Sequence, residues 1–379
     1  MRVEPIEDPD RFRALRGEWN GLLEQSASDC PFLTWEWLHT WWTHFAGGRK
    51  LCLLAVRDGG DLIGLAPLAV SPWRVTHFRL FHALEFLGTG SVGSDYLDLI
   101  SRRGREQDVA EALADDLSHR ETMLELTQLN GDSSLAAAVA ARLAGRDWTR
   151  AATRTDVCPF IPLAGHSWES YLGTLGAEYR YTVRRSERGL AKRFDVRFHW
   201  AATDDERRAA LAEVVRLHQQ RWQDRRGGST AFYSPALLAF HEEFSRLALE
   251  RGWLRLLVVR LDGTPAAAFY GFRYQRRFYF YQSGFDPQYK KVSAGIALLG
   301  HTIKTAIDEG ADQYDFLHGD EPYKFHWAKD VRELGRLELY PPSLRGRVWR
   351  RAVETDRAAR KLARRILPHG VVEALVRGR

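Results

Sequence analysis

The segment DFLHGDEPYKFHW, from Asp315 to Trp327, gathers three acids, two imidazoles, a phenol and an amine at close spacing. Asp315, His318 and Glu321 are candidates to take a proton from a nucleophile, and Tyr323 to give one to a leaving group. Lys324 has the charge to hold a phosphate or a carboxylate, and Asp315 could equally anchor a substrate amine. Each also has a plainer reading: a strand-end aspartate bonds its own loop, exposed His and Glu are solvated, and Tyr323 packs in the core beside Trp327. Upstream, Lys290 and Lys291 precede Ser293, Ala294 and Gly295. A helix opening there would offer unpaired N–H groups and the positive end of its dipole to an anion, and the small side chains would admit the ligand to the backbone. Taken alone, most such turns bind nothing. Strand, Lys-rich loop, helix, strand and polar loop in this order suggest a transferase.

These residues need elements to position them. The alternating aromatic run Phe278 to Tyr281 has the period of a strand. Ser293 is suited to cap a helix whose apolar face is Ile296, Leu299, Ile303 and Ile307, which Gly310 closes before a strand from Gln313 to Leu317. Two segments repeat each other: LCLLAVRDGGDLIGLAPLAV from Leu51 and LRLLVVRLDGTPAAAFYGFR from Leu254 both read as β-hairpins. Helical patterns precede each, at Asp10 to Gln25 and Thr34 to Phe45 in the first half and at Asp204 to Gln223 and Pro235 to Arg251 in the second. A further helix, Arg105 to His119, precedes strand Met123 to Leu129. This self-similarity implies a duplicated unit with its boundary near Pro162 to Ser167. The halves are chemically unequal, because FLGTGSVGSDYLDLI in the first is Gly-rich but lacks lysines and any Tyr-Lys counterpart.

The loop reads K-x-x-S-x-G, a loosened form of the R/Q-x-x-G-x-G/A loop of GCN5-related (GNAT) acetyltransferases. With Asp315, Phe316, Gly319, Glu321, Tyr323, Lys324 and Trp327 it resembles the CelD/BcsL-type group of that superfamily, relatives of the FemAB-like transferases, over the last half of the chain and more faintly before it. The resemblance implies an α/β (α+β) fold of two tandem GNAT domains with mixed central sheets: a degenerate one at 1–163 and a catalytic one at 164–342, followed by a basic tail at 343–379. It implies an acyl-CoA-dependent N- or O-acyltransferase with acetyl-CoA or a longer acyl-CoA as co-substrate, acting by direct transfer without a metal. Lys290, Lys291, Ser293, Ala294 and Gly295 would hold the pyrophosphate. Gln282 and Ser283 would lie along the donor on a splayed strand, whose backbone between Tyr281 and Gly284 meets the thioester carbonyl. Tyr281 would face the acceptor. Asp95 and Asp98, in a segment similar to the family's first-domain signature, would line the interdomain cleft and bind a cationic acceptor. Arg180 and Arg184, which share a helix face with Arg188, would meet an anionic substrate or the 3′-phosphate, unless they form a solvated face. The acceptor would be a small molecule or a polysaccharide precursor. Two alternatives stand beside this reading: an aminoacyl-tRNA-dependent FemAB-like transferase, and a non-catalytic protein of envelope or polysaccharide assembly.

Charge narrows the partners. The chain of 379 residues carries +6 overall. Eleven Lys or Arg against three acids give +8 from Leu344 onward, so the first 343 residues carry −2. DNA is therefore not expected as a partner and tRNA is disfavoured. The tail has an apolar stripe at Leu344, Val348, Ala352, Thr355, Ala359, Leu362 and Ile366 among arginines, a pattern for an anionic membrane surface, a partner protein or the protein's own second domain. With no run of 18 uncharged apolar residues and an acidic start, the expected location is cytoplasmic, with the tail as the candidate contact to the inner membrane. Cys30, Cys52 and Cys158 are odd in number and dispersed, which argues for buried thiols over disulfides or a metal site. Trp35, Leu38, Trp42 and Phe45 step at helical spacing and are expected to face a core. Monomer and homodimer both remain open.

Overall fold

The computed structural model describes residues 1–75, 78–131, 134–222 and 231–366, so Gln223 and the tail beyond Ile366 lie outside the described residues. Thirteen strands among these residues form one mixed sheet. In the first half, β1 (Arg2–Ile6), β2 (Lys50–Asp58), β3 (Asp61–Val75), β4 (Phe78–Phe86), β5 (Ile100–Ser101), β6 (Met123–Asn130) and β7 (Thr149–Pro162) accompany helices α1 (Pro9–Ala14), α2 (Arg16–Glu24), α3 (Trp35–Phe45), α4 (Glu106–Ser118) and α5 (Leu135–Ala144). The second half contributes α6 (Trp168–Thr174), α7 (Ala177–Arg193), β8 (Val196–Trp200), α8 (Asp204–Trp222), α9 (Pro235–Glu250), β9 (Leu254–Leu261), β10 (Thr264–Tyr274), β11 (Arg277–Phe285), α10 (Ala294–Asp308), β12 (Gln313–Asp315), β13 (Asp330–Tyr340) and α11 (Leu344–Ile366).

The mixed α/β architecture and the duplication expected from the sequence are both present. The runs β1-β2-β3-β4-β6 and β8-β9-β10-β11-β12 have the same internal order, and β4–β6 and β11–β12 are the corresponding parallel pairs. Between the runs lie β13 and β7, and they are exchanged. β13, from the second half, pairs with β6 of the first, whereas β7, from the first half, pairs with β12 of the second. β7 and β13 pair with each other antiparallel from Asp330↔Phe160 to Tyr340↔Thr149. The covalent boundary near Pro162 thus separates the chain but not the sheet.

Burial follows from this. In α3, Trp37, Leu38 and Trp41 are fully buried, while Trp42 and Phe45 are only partly so, which shifts the expected core face by a residue. The cause is the other half of the molecule: Trp37 meets Phe240 and Phe244 of α9 and Tyr281 of β11 edge-on, with ring centroids 4.9, 4.6 and 5.7 Å away. The sequence-expected helix at Asp10 to Gln25 is broken into α1 and α2 at Leu15, whose N–H still bonds the Arg11 and Phe12 carbonyls.

On β11, Gly284 lets α8 sit directly on the strand, since a Cβ there would lie 2.3 Å from the backbone nitrogen of His218. We expect Gly284→Ala to push α8 away and cost about 2–3 kcal/mol of stability, measured as a shift of the urea midpoint; an unchanged midpoint would show that the helix is not seated as described.

Candidate functional site

β11 and β12 pair only over Arg277–Tyr279 and Gln313–Asp315. Beyond that β11 continues to Phe285 while the chain after Asp315 turns away, and a cleft of about 150 Å³ opens between them. Its walls include Phe280, Tyr281, Gln282 and Ser283 on one side and Leu317, His318, Gly319, Glu321, Tyr323 and Lys324 on the other. A second cavity, about 240 Å³, runs from Arg221, Phe280, Ser283 and Tyr323, which it shares with the first, to Lys290, Ser293, Ala294 and Gly295 at the start of α10. The four shared residues therefore stand between the start of α10 and His318 as a common wall. Ser293 takes a left-handed conformation, φ 59°, ahead of α10, and its carbonyl is fixed by the Ser186 hydroxyl at 3.1 Å. A Cβ on Gly295 would touch only Phe285, at 3.8 Å, so the missing side chain leaves groove space.

His318 is held from the other half of the molecule. Its Nδ1 lies 2.9 and 3.0 Å from the two carboxylate oxygens of Asp95, and its backbone N–H donates to the same carboxylate at 2.8 Å. Asp95 is fully buried and also accepts from Gln128 at 3.2 Å. With Nδ1 donating to this carboxylate, the neutral imidazole has its lone pair on Nε2, and the ring, 41% exposed, borders the cleft. The Asp95 charge raises the imidazole pKa above its ordinary value, against the opposing effect of burial. Gly93 in the same first-half loop would set a Cβ 3.5 Å from the His318 ring, and the Val92 carbonyl accepts from the Tyr281 hydroxyl.

The chain after β12 is tightly built. Leu317 has φ 56° and Gly319 φ 118°. Lys324, read from the sequence as an anion holder, is buried with its Nζ donating to the carbonyls of Leu317, His318 and Gly319 at 3.3, 2.6 and 3.4 Å and paired with Glu321 at 3.0 Å. Its observed work is to fix the backbone that carries His318. Burial would raise the Glu321 pKa, but the Lys324 charge prevails and lowers it. Tyr323 lines both cavities, and burial raises its phenol to about 12, so it stays protonated at neutral pH.

The remaining sequence candidates fall elsewhere. Asp315 is buried behind the cleft, accepting from Tyr96 at 2.8 Å, Arg332 at 3.0 Å and the Leu317 N–H at 2.8 Å; burial raises its pKa to about 6, opposed chiefly by Arg332. Asp98 caps α5, accepting from the Leu135 and Ala136 N–H groups at 3.0 and 2.9 Å. Lys291 is exposed and, unlike Lys290, borders neither cavity. Arg180 donates to the Gly173 carbonyl at 3.4 Å and Arg184 pairs with Glu169 at 2.5 Å; neither lines the cavities, although Tyr179 of the same helix does. Sequence reasoning missed His218 and Arg221, spaced i, i+3 on the last turn of α8. His218 Nδ1 donates to the Ser283 carbonyl at 3.0 Å, and burial lowers its pKa to about 4. Arg221 bonds the Ser283 hydroxyl at 3.1 Å and lies over Phe285 and Tyr323.

Residues 177–325 match the family described as Acetyltransferase (GNAT) domain. The matched segment runs from α7 through both cavity walls to the residue after Lys324. The fold is shared with solved structures at low identity. FemX overlays with a TM-score of 0.60 at 11% identity, covering 88% of this chain and 97% of FemX. L-PGS from Bacillus licheniformis gives 0.53 at 12%, covering 94% and 98%. The C-terminal domain of a putative lysylphosphatidylglycerol synthetase from Agrobacterium fabrum gives 0.52 at 10%, covering 88% and 92%. No curated protein matches the sequence.

Two outcomes check the site. Because the His318 pKa is raised in the folded state, the pair with Asp95 adds stability below the unfolded value of about 6.5 that fades as pH rises through the folded value. Asp95→Asn should lower the NMR titration midpoint of His318 and lose most stability on the acid side; an unmoved midpoint would refute the pairing. A Cβ on Gly319 would fall 2.4 Å from Glu321 Oε2 and 2.9 Å from Lys324 Nζ, so Gly319→Ala should destabilise by about 2 kcal/mol in a thermal melt.

Proposed function

We propose that the protein transfers an acyl group from an acyl-CoA to an amine or hydroxyl of a small-molecule or polysaccharide-precursor acceptor. The observation that carries this reading is that the cavity at the α10 N-terminus and the cleft at His318 share the walls Arg221, Phe280, Ser283 and Tyr323. Ala294 and Gly295 present backbone N–H groups and the helix dipole to a pyrophosphate, Lys290 adds charge, and Phe280, Phe285 and Leu298 supply apolar lining for the pantetheine arm. His318 Nε2 takes the proton of the acceptor as its nitrogen or oxygen bonds to the thioester carbon. A backbone N–H of β11 between Tyr281 and Gly284 stabilises the carbonyl oxygen, and the Tyr323 hydroxyl gives its proton to the sulfur as the C–S bond breaks. Asp95 orients the imidazole and stabilises its charged form. The finer CelD/BcsL-type assignment rests on the resemblance of the segment from Asp315 to Trp327.

A second reading places an aminoacyl ester of tRNA in the same cleft. The fold shared with FemX supports it, and the −2 charge of the first 343 residues weighs against it. Titration with tRNA at rising salt separates the two, because phosphate contacts give a steep loss of affinity.

Calorimetry with acetyl-CoA and longer acyl-CoAs should show binding, weakened about three- to tenfold by Lys290→Glu, one surface charge at the phosphate end. His318→Ala should cut turnover by about a hundredfold or more while leaving donor affinity within about twofold. A folded protein that binds no acyl-CoA, or a His318→Ala enzyme with full turnover, would reject the assignment.

A further inference from the structure

α11 docks on the body by one face only. Trp349 and Val353 are buried in a cluster with Ala83, Met123 and Tyr340, and Arg357 pairs with the buried Glu338. With 3.6 residues per turn, this leaves the stripe Leu344, Val348, Thr355 and Ala359 on the opposite side of the helix. Leu344 is 70% exposed and Val348 51% exposed, so this part of the stripe foreseen from the sequence does not pack on the protein, whereas Ala352 is half-buried and the side chains of Leu362 and Ile366 lie outside the described residues. Arg345, Arg347 and Arg351 are exposed around it, with no ion pair to a carboxylate among the described residues. The sequence then continues with Arg360, Lys361, Arg364 and Arg365.

We propose that this outward face of α11 docks on an anionic lipid bilayer. An apolar stripe bordered by unpaired arginines matches the two layers of such a surface: guanidinium groups meet headgroup phosphates while Leu344 and Val348 enter the acyl boundary. Nucleic acid would satisfy the arginines but give the apolar stripe no partner, which favours lipid. Among the described residues no helix is long and apolar enough to cross a membrane, so α11 would lie in the plane of the interface. The helix is anchored to the sheet through Trp349, so docking would hold the whole molecule at the surface.

The test is co-sedimentation of the full chain with vesicles of phosphatidylcholine containing one-third phosphatidylglycerol, against pure phosphatidylcholine and against a short RNA duplex. Binding is expected to the anionic vesicles only and to weaken as salt rises. Each of Arg345, Arg347 and Arg351 changed to Glu should reduce partitioning about fivefold or more. Leu344→Ser with Val348→Ser should reduce it about tenfold, while the thermal midpoint stays unchanged because both side chains are exposed. Equal binding to neutral and anionic vesicles, no binding to either, RNA binding in place of vesicle binding, or full binding by the Leu344→Ser, Val348→Ser protein would each overturn the proposal.

Discussion

The antiparallel pairing of β7 with β13 is the constraint on which the rest of the molecule depends. Eleven successive positions pair between them, and each strand closes the half-sheet that the other strand's half began. Backbone amides buried in a sheet must be bonded, so this exchange fixes the relative position of the halves through main-chain geometry and leaves little to side-chain preference. The first-half loop is consequently held at a set distance from the splay of β11 and β12, and a contact such as Asp95 to His318 becomes reproducible.

The asymmetry of the two halves has a spatial explanation. In the second half, β11 reaches α10 by a short lysine-bearing connection, and the splay after the parallel strands stays open. In the first half, the corresponding connection between β4 and α4 is longer and folds into its own splay: Leu97 forms a bridge with Leu129, Ser94 accepts from Trp37, and the Tyr96 hydroxyl reaches across to Asp315. The same segment that fills one groove furnishes the wall of the other.

Much of the second half was legible in the sequence because its signals are local. The start of α10 after Ser293 and the aromatic run of β11 correspond to observed elements, although the Ser293 side chain makes no cap hydrogen bond and Ile296 and Ile307 are only partly buried beside Leu299 and Ile303. β7 was not legible as a sheet-closing strand, since most of TRAATRT is exposed or half-exposed and its alternation is weak. The site was legible as a set of residue types but not as an arrangement. His318 and Asp95 were each noticed, 223 residues apart, yet no periodicity joins them. Lys324 looked like a ligand because a lysine in a polar loop normally faces water, and only the turn of Leu317 and Gly319 brings three carbonyls around its amine. His218 and Arg221 were hidden in a helix whose buried face is set by Gly284.

The exchanged strands also order events in time. A chain made from its N-terminus produces β6 long before β13, and until residues 330–340 are available one edge of β6 has no partner. The first half therefore cannot finish as an independent unit and wait for the second, as duplicated domains ordinarily do. It must persist with an open edge, the kind of surface that recruits foreign strands, until the last strand of the sheet has been synthesised. The molecule is a duplication in its sequence and a single event in its assembly.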